Sequence, residues 1–445
     1  MHLKNKNISV VGGGLVGALL SIYLNQQGAS ISVFEKRNDI RKDNSYGGRS
    51  INLALSARGI QALKQVGVLD SIMKIAMPMY KRIMHSVDGS LTEQYYGKKD
   101  QAIYSVPRKD LNTRLIDMAE HNNVNFFFNH ECIDIDFEET SLMFNNNLTI
   151  KSDFIFGSDG AGSVIRKKMN QYFKDFIVAE QFIDFGYKEL AIPADENGKH
   201  KIANNALHIW PRKDYMVIAL PNLDGTFTCT LFAPMKGDNS FELLSEKSKL
   251  ESFFSLNFNN LTHLIPDLSD QYFNNPLSSL GFVRCDSWNK YNTILIGDAC
   301  HATVPFYGQG MNSGFEDCFT LNEWINKHGM MNNLTEFLNQ RIINTTAMQN
   351  LSMQNFIEMR GKTADSNFLL QKKIENWFSD KYPDKWVPLY SMVSFSHMSY
   401  DQAFKKGEIQ DDIMKDIMKK NNLSGSFNLF ELSEKDIEKQ ILSKL

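Results

Sequence analysis

The hydrophobic and polar positions change period several times along the chain. Residues 8–11 form a short apolar run that stops at three glycines, residues 15–24 carry apolar side chains at helical spacing, and residues 31–34 are a second apolar run. Strand, glycine turn, helix and strand in succession predict a βαβ unit. A helix is expected over 56–66, antiparallel strands over 80–104 with turns at Asp88-Gly89 and Gly97, and a helix over 110–122 capped by Asp110. Short strands are expected at 124–128, 132–137, 142–144 and 148–150, and a buried strand at 154–157 running into Ser158-Asp159-Gly160. Residues 180–235 alternate with strand period around turns at Asn197-Gly198 and Asp224-Gly225. Helix is expected over 241–258, a buried strand over 293–296, a helix from about Met311, and long-period helix over 334–380. A β layer thus interrupts an α/β pattern, which predicts interleaved domains rather than domains in series.

Composition narrows the classes. The 445 residues give room for two or three domains, and the 48 basic and 51 acidic residues leave a net charge of −3, with no basic stripe to suit nucleic acid. None of the five cysteines forms a CxxC pair, so neither a zinc site nor a disulfide framework is indicated, and a reducing cytoplasm is the expected setting. The first strand begins too early for a signal peptide, and no stretch is long and apolar enough to predict a transmembrane helix.

Gly12-Gly13-Gly14-Leu15-Val16-Gly17 fits G-x-G-x-x-G between a strand and a helix, and Glu35 ends the next strand. Gly12 permits the tight turn, Gly14 the approach of a pyrophosphate, and Gly17 close helix–strand packing. The helix N-terminus faces the phosphates, and a carboxylate at Glu35 accepts both ribose hydroxyls of an adenosine. The motif alone leaves FAD and NAD open, and its bland alternative is a glycine-rich turn before a core helix.

Two further segments, 154–163 with Arg166 and 294–312, are each a buried strand, a Gly/Asp turn and a helix start. With the first motif they resemble the three signatures of single-component FAD-dependent aromatic hydroxylases. Asp298 is suited to a ribityl hydroxyl, the loop 305–310 to wrapping the isoalloxazine, and the helix near Met311 to aiming its N–H groups at the flavin pyrimidine edge. Asn312 and Arg108 are candidate flavin contacts, Arg108 with the alternative of a surface arginine. No His or Cys lies at metal spacing, His301 reads as a hydrogen-bonding residue, and Ser163 is not on a nucleophile elbow.

Within that group the chain resembles the kynurenine 3-monooxygenase family, over about residues 7–410. The resemblance is carried by segments 48–56, 101–105, 208–212, 220–222, 306–312 and 388–393. It implies an FAD-binding Rossmann-like domain of the p-hydroxybenzoate hydroxylase type (1–75, 101–178 and 285–330). This is interleaved with a mostly antiparallel β substrate domain (76–100 and 179–284) and followed by a helical region (331–445). It implies non-covalent FAD held by Gly12, Gly14, Gly17, Glu35, Lys36, Arg37, Ala54, Arg108, Asp159, Asp298, Gly310, Met311 and Asn312.

It further implies a substrate carboxylate on Arg82 and Tyr96, an aromatic ring flanked by Phe306 and Gln309, and closure by Tyr400, where Ser399 replaces the proline frequent in the family. A hairpin through Asp88-Gly89 brings Arg82 and Tyr96 together, and arginine with a phenol suits a carboxylate. The implied reaction is 3-hydroxylation of L-kynurenine with NADPH and O2 through a flavin C4a-hydroperoxide, with no obligatory protein base. Some relatives carry a hydrophobic C-terminal anchor, whereas this chain ends in residues rich in Lys, Asp and Glu. The alternatives are a hydroxylase of another aromatic acid and a non-catalytic binding protein on the same fold, the latter opposed by Glu35, Asp159 and Asp298.

Overall fold

The computed structural model describes residues 2–42, 52–97, 100–330, 332–359, 365–423 and 434–445, so the 48–51 part of the segment 48–56 lies outside the described residues. Six strands form the first sheet, in the order Asn289–Lys290, Thr293–Leu295, Phe154–Gly157, Asn7–Val11, Ser30–Glu35 and Asn125–Phe128. All neighbours are parallel except the first pair. The central strands are almost wholly buried and mostly apolar, with Ser9 and Thr293 as buried exceptions, because helices such as Leu15–Gln26 and Gly310–His328 shield the parallel sheet.

The second sheet has seven strands, in the order Ser278–Cys285, Val178–Ile192, Phe227–Pro234, Tyr215–Pro221, Ala206–Arg212, Lys81–His85 and Leu91–Tyr95. Only Ala206–Arg212 and Lys81–His85 run parallel. Its two faces follow from period-two alternation. Trp210, Val217 and Leu231 point to one side, onto Phe253, Phe254 and Phe258 around the helix Lys247–Asn257. Their neighbours Ile209, Met216 and Phe232 point to the other, onto Phe306 and Phe356. The second face is the one turned to the loop 305–310.

Three expectations are corrected. Segment 76–100 does not all join the seven-stranded sheet: Met77–Met79 pairs with Ile103–Pro107, which also pairs with Asn52–Leu55, in a small separate sheet. Asp110 is not a cap. The helix starts at Arg108, directly after extended Pro107, so Asp110 lies within its first turn. The helical stretch 334–380 is two helices, Leu334–Ile357 and Ser366–Lys381, the second capped by Asp365, whose carboxylate accepts from the N–H groups of Asn367 and Phe368 at 2.8 and 3.1 Å. The helices Leu389–Ser394 and Tyr400–Lys420 follow. Among the described residues no helix is long and apolar enough to cross a membrane.

A buried histidine pair braces the second sheet. His85 Nε2 and His208 Nδ1 are 2.8 Å apart, and His208 Nε2 lies 2.7 Å from the Ala203 carbonyl. The carbonyl requires a proton on His208 Nε2, so His208 Nδ1 accepts from His85 Nε2–H and both rings are neutral. Burial pushes His85 down to about 3 and His208 below its ordinary value.

Candidate active site

The glycine cradle is built by contact. Gly12 has φ +101°, which disfavours a side chain, and a Cβ on Gly17 would lie 2.0 Å from the Gly12 carbonyl oxygen. Gly14 differs: a Cβ there meets no atom of the described residues within 4 Å. The space above the helix N-terminus at Gly14 is therefore left open by the protein. Glu35 is held beside it, Oε2 accepting from Gly13 N–H at 2.9 Å and Oε1 from Arg37 N–H at 3.0 Å, so each oxygen keeps a lone pair for a ribose hydroxyl. Lys36 and Arg37 are exposed just beyond, and Arg108 is exposed at its helix start.

Asp159 accepts from Val164 N–H at 2.7 Å through Oδ2, while its buried Oδ1 has no partner. Burial raises its carboxyl above the ordinary range. An orphaned carboxylate oxygen beside an open glycine cradle fits a hydroxyl-bearing dinucleotide. Ser163 caps the helix Val164–Tyr172, accepting from Arg166 N–H at 3.0 Å. Asp298 is the exposed residue of an otherwise buried turn. Beneath it His301 Nε2 meets Asp317 Oδ2 at 2.5 Å and its ring stacks on Trp288 at 5.0 Å, a hydrogen-bonding role as expected from sequence.

Asn312 is spent inside the protein. Its Oδ1 accepts from Ser56 N–H at 2.9 Å, and its Nδ2 donates to the carbonyls of Ala54 and Gly308 at 2.8 and 2.9 Å. The side chain thus fixes Ala54 and the loop to the start of the helix Gly310–His328, whose first-turn backbone N–H groups at Gly310 and Met311 have no acceptor within the helix. Burial raises the Cys300 and Cys318 thiols well above their ordinary value, so neither serves as a nucleophile.

Across the loop lies an aromatic chamber. In the hairpin Arg82 faces Gln94, and Tyr96 N–H donates to the Tyr80 carbonyl at 3.1 Å, which sets Arg82 and Tyr96 diagonally on one face. The Arg82 guanidinium carbon lies 5.2 Å from the Tyr96 ring centroid and 4.4 Å from that of Tyr390. Tyr390 stacks on Tyr96 at 5.1 Å and on Tyr307 at 5.6 Å. Among the described residues, buried Arg82 Nε and the buried Tyr96 hydroxyl have no hydrogen-bond partner. No carboxylate of the described residues is ion-paired with Arg82, so a buried cation and a buried donor converge on one point.

Phe306 stacks on Phe356 at 4.3 Å and lies 5.0 Å from Phe232, forming the apolar wall. Tyr400 is fully buried, and its hydroxyl donates to Gln309 Oε1 at 3.0 Å. Burial holds the Tyr96, Tyr307 and Tyr400 phenols above their ordinary value, so all three are neutral donors. Sequence reasoning did not assign Tyr390 or Tyr307 to this chamber, although both stand inside segments that carry the family resemblance, 388–393 and 306–312.

Such a chamber can hold an aromatic carboxylate in a dry space beside a dinucleotide cradle. A family model described as FAD binding domain matches residues 5–240 and 266–328. The kynurenine 3-monooxygenase of Flavobacterium johnsoniae is 47% identical over 439 residues, covering 97% of this chain and 98% of that protein. That of Dictyostelium discoideum is 40% identical, covering 94% and 95%. Among solved structures, 2-methyl-3-hydroxypyridine-5-carboxylic acid oxygenase superimposes with a TM-score of 0.68 at 20% identity over 84% of this chain and 97% of that one, a likeness of fold. With identity sustained along nearly its full length, the chain belongs to the kynurenine 3-monooxygenase family of FAD-dependent aromatic hydroxylases.

Proposed function

We propose that this chain hydroxylates L-kynurenine at ring position 3, taking electrons from NADPH and one oxygen atom from O2 while the other leaves as water. The observation that carries this reading is the buried Arg82 guanidinium, with no carboxylate partner among the described residues and its Nε left over, beside the Tyr96 hydroxyl in an aromatic chamber. Arg82 binds the substrate carboxylate, with Tyr96 adding a neutral hydrogen bond. Phe306 and Gln309 flank the ring, and Tyr400 covers the pocket.

FAD, when bound, supplies the redox chemistry that activates dioxygen. The residues that would hold it are the glycines 12, 14 and 17, Glu35, Asp159, Asp298 and the backbone at 310–312, with Lys36, Arg37 and Arg108 near the cradle. The protein's own work is orientation and dryness. The ring amine of kynurenine directs attack to the adjacent carbon, so no side chain is required as a base. NADPH docks transiently from outside, and the enzyme works in the cytoplasm, where its buried cysteines stay reduced. Product identification from purified protein given FAD, NADPH, O2 and a panel of aromatic acids tests the reading: 3-hydroxykynurenine is expected, and preferential hydroxylation of another acid overturns it.

A further inference from the structure

One buried cation near the chamber has no part in the reaction as described. Arg58, in the helix Ala57–Gln65, is 1% exposed. Its guanidinium pairs with Glu316, donates to the carbonyl of Met398 and, at 3.3 Å, to that of Val393, and lies 3.9 Å from the centroid of the Tyr400 ring. Three of these four contacts fall on residues 393–400, from the end of the helix Leu389–Ser394 to the start of the helix Tyr400–Lys420. The guanidinium supplies donors to one carbonyl in the last turn of the first helix and one in the break that follows, and a planar cation to the ring of the tyrosine.

The pairing continues inward. Glu316 Oε2 accepts from Arg341 at 2.9 Å, and Arg341 also grips Asp317 Oδ1 through Nε at 3.0 Å and a terminal nitrogen at 2.5 Å. Asp317 Oδ2 then meets His301 and accepts from Gly297 N–H at 3.3 Å, in the turn before Asp298. Asn344 closes a second path, its Nδ2 reaching Glu316 Oε2 at 3.4 Å and its Oδ1 accepting from Tyr400 N–H at 2.5 Å. Two cations and two carboxylates balance in a dry interior, an arrangement costly to disturb and suited to fixing geometry.

We propose that Arg58 is a positioning residue that seats Tyr400 over the substrate pocket and ties that seat, through Glu316, Arg341 and Asp317, to the flavin-facing turn at Gly297–Asp298. The proposal rests on the reading of Tyr400 as the cover of the kynurenine pocket. A loosened seat admits water, and NADPH and O2 then end partly as NADP+ and hydrogen peroxide instead of hydroxylated product.

The test is a double-mutant cycle on the full-length, FAD-loaded enzyme: parent, Arg58→Lys, Tyr400→Leu and the double variant. The readouts are FAD content, melting temperature, KM for kynurenine and the ratio of peroxide to 3-hydroxykynurenine. Lysine keeps the charge but not the fork. Arg58→Lys is expected to retain FAD, raise KM about tenfold and raise the peroxide ratio, yet to add less than about twofold in the Tyr400→Leu background. Equal effects in both backgrounds, or a lowered melting temperature with KM and the peroxide ratio unmoved, overturn the proposal. Should Arg58→Lys not fold, Arg58→Gln with Glu316→Gln, which removes one charge of each sign, is read by the same cycle. A parent protein that fails to hydroxylate kynurenine overturns the functional reading, whereas an active parent with additive losses overturns the role of Arg58 alone.

Discussion

The Arg82 guanidinium carbon lies over the Tyr390 ring, 4.4 Å from its centroid, although the two residues are more than 300 positions apart. Tyr390 and Tyr96 thus both border the cation, at 4.4 and 5.2 Å.

Replacing the cation tests the pocket. Arg82→Ala is expected to weaken kynurenine binding by about 2–5 kcal/mol, the cost of truncating one partner of a buried charged pair, with FAD content unchanged. Arg82→Lys restores part of the loss, because a point charge cannot form the two-bond fork. A decarboxylated analogue binds poorly to the parent but loses little more in Arg82→Ala. Equal losses of both ligands in titrations would assign Arg82 to the fold instead.

Tyr390 is tested by ring and hydroxyl separately. Tyr390→Phe keeps the surface under Arg82 and is expected to leave kynurenine binding nearly unchanged. Tyr390→Leu removes a cation–π contact of about 0.5–2 kcal/mol and should raise the dissociation constant accordingly. If Tyr390→Phe proved as damaging as Tyr390→Leu, the hydroxyl and not the ring would be the working group.

The glycines separate structure from ligand. Gly14 has extended backbone at φ −71° and ψ −172°, and a methyl there touches no atom of the described residues within 4 Å. Gly14→Ala should leave the stability of the FAD-free protein within about 0.5 kcal/mol of the parent. FAD affinity should nonetheless fall at least about tenfold, or about 1.4 kcal/mol, by fluorescence titration. Gly17→Ala, whose methyl would meet the Gly12 carbonyl at 2.0 Å, should destabilise the FAD-free protein itself by about 1–3 kcal/mol. Glu35→Ala should cost FAD binding about 1.5–3 kcal/mol without affecting Arg82 chemistry.

The histidine pair predicts an acid dependence of stability. His85 is pushed down to about 3 when folded, so between its ordinary value and that point the unfolded chain binds a proton that the folded chain does not. Stability contributed by the neutral pair is present above about pH 6.5 and falls as pH drops below it, by at most about 1.4 kcal/mol per pH unit for each histidine. Urea midpoints at about pH 7.5 and about pH 5 should show the drop, and a His85→Phe, His208→Gln variant should show a flatter one.

How much the sequence disclosed depended on range. The cradle at residues 12–17, Glu35 and the strands 154–157 and 293–296 were legible because period and glycine placement report local geometry. The hairpin that joins Arg82 and Tyr96 was legible, whereas their pairing for a carboxylate came only from the family resemblance, because the two residue types alone read equally as an exposed arginine and an interfacial tyrosine. Asn312 was misjudged because its partners Ser56 and Ala54 lie over 250 residues away. Arg58 and Glu316 gave no signal for the same reason, being 258 positions apart, and Arg341, only 25 positions from Glu316, reads as a plausible surface charge until two helices pack together. Met77–Met79 passed for part of the larger sheet because only its pairing with Ile103–Pro107 reveals the boundary.

Strand Thr293–Leu295 sits inside the first sheet against Phe154–Gly157, and Ala206–Arg212 pairs with Lys81–His85 in the second. During synthesis, the first sheet gains Thr293–Leu295 only after about two thirds of the chain has been made, and the second gains Ala206–Arg212 only near the midpoint. Earlier nascent chains expose the edges of Phe154–Gly157 and Lys81–His85 with nothing to pair them. Production of this enzyme should therefore depend on chaperone supply and slow growth temperature, and fragments ending before Thr293 should aggregate rather than bind flavin.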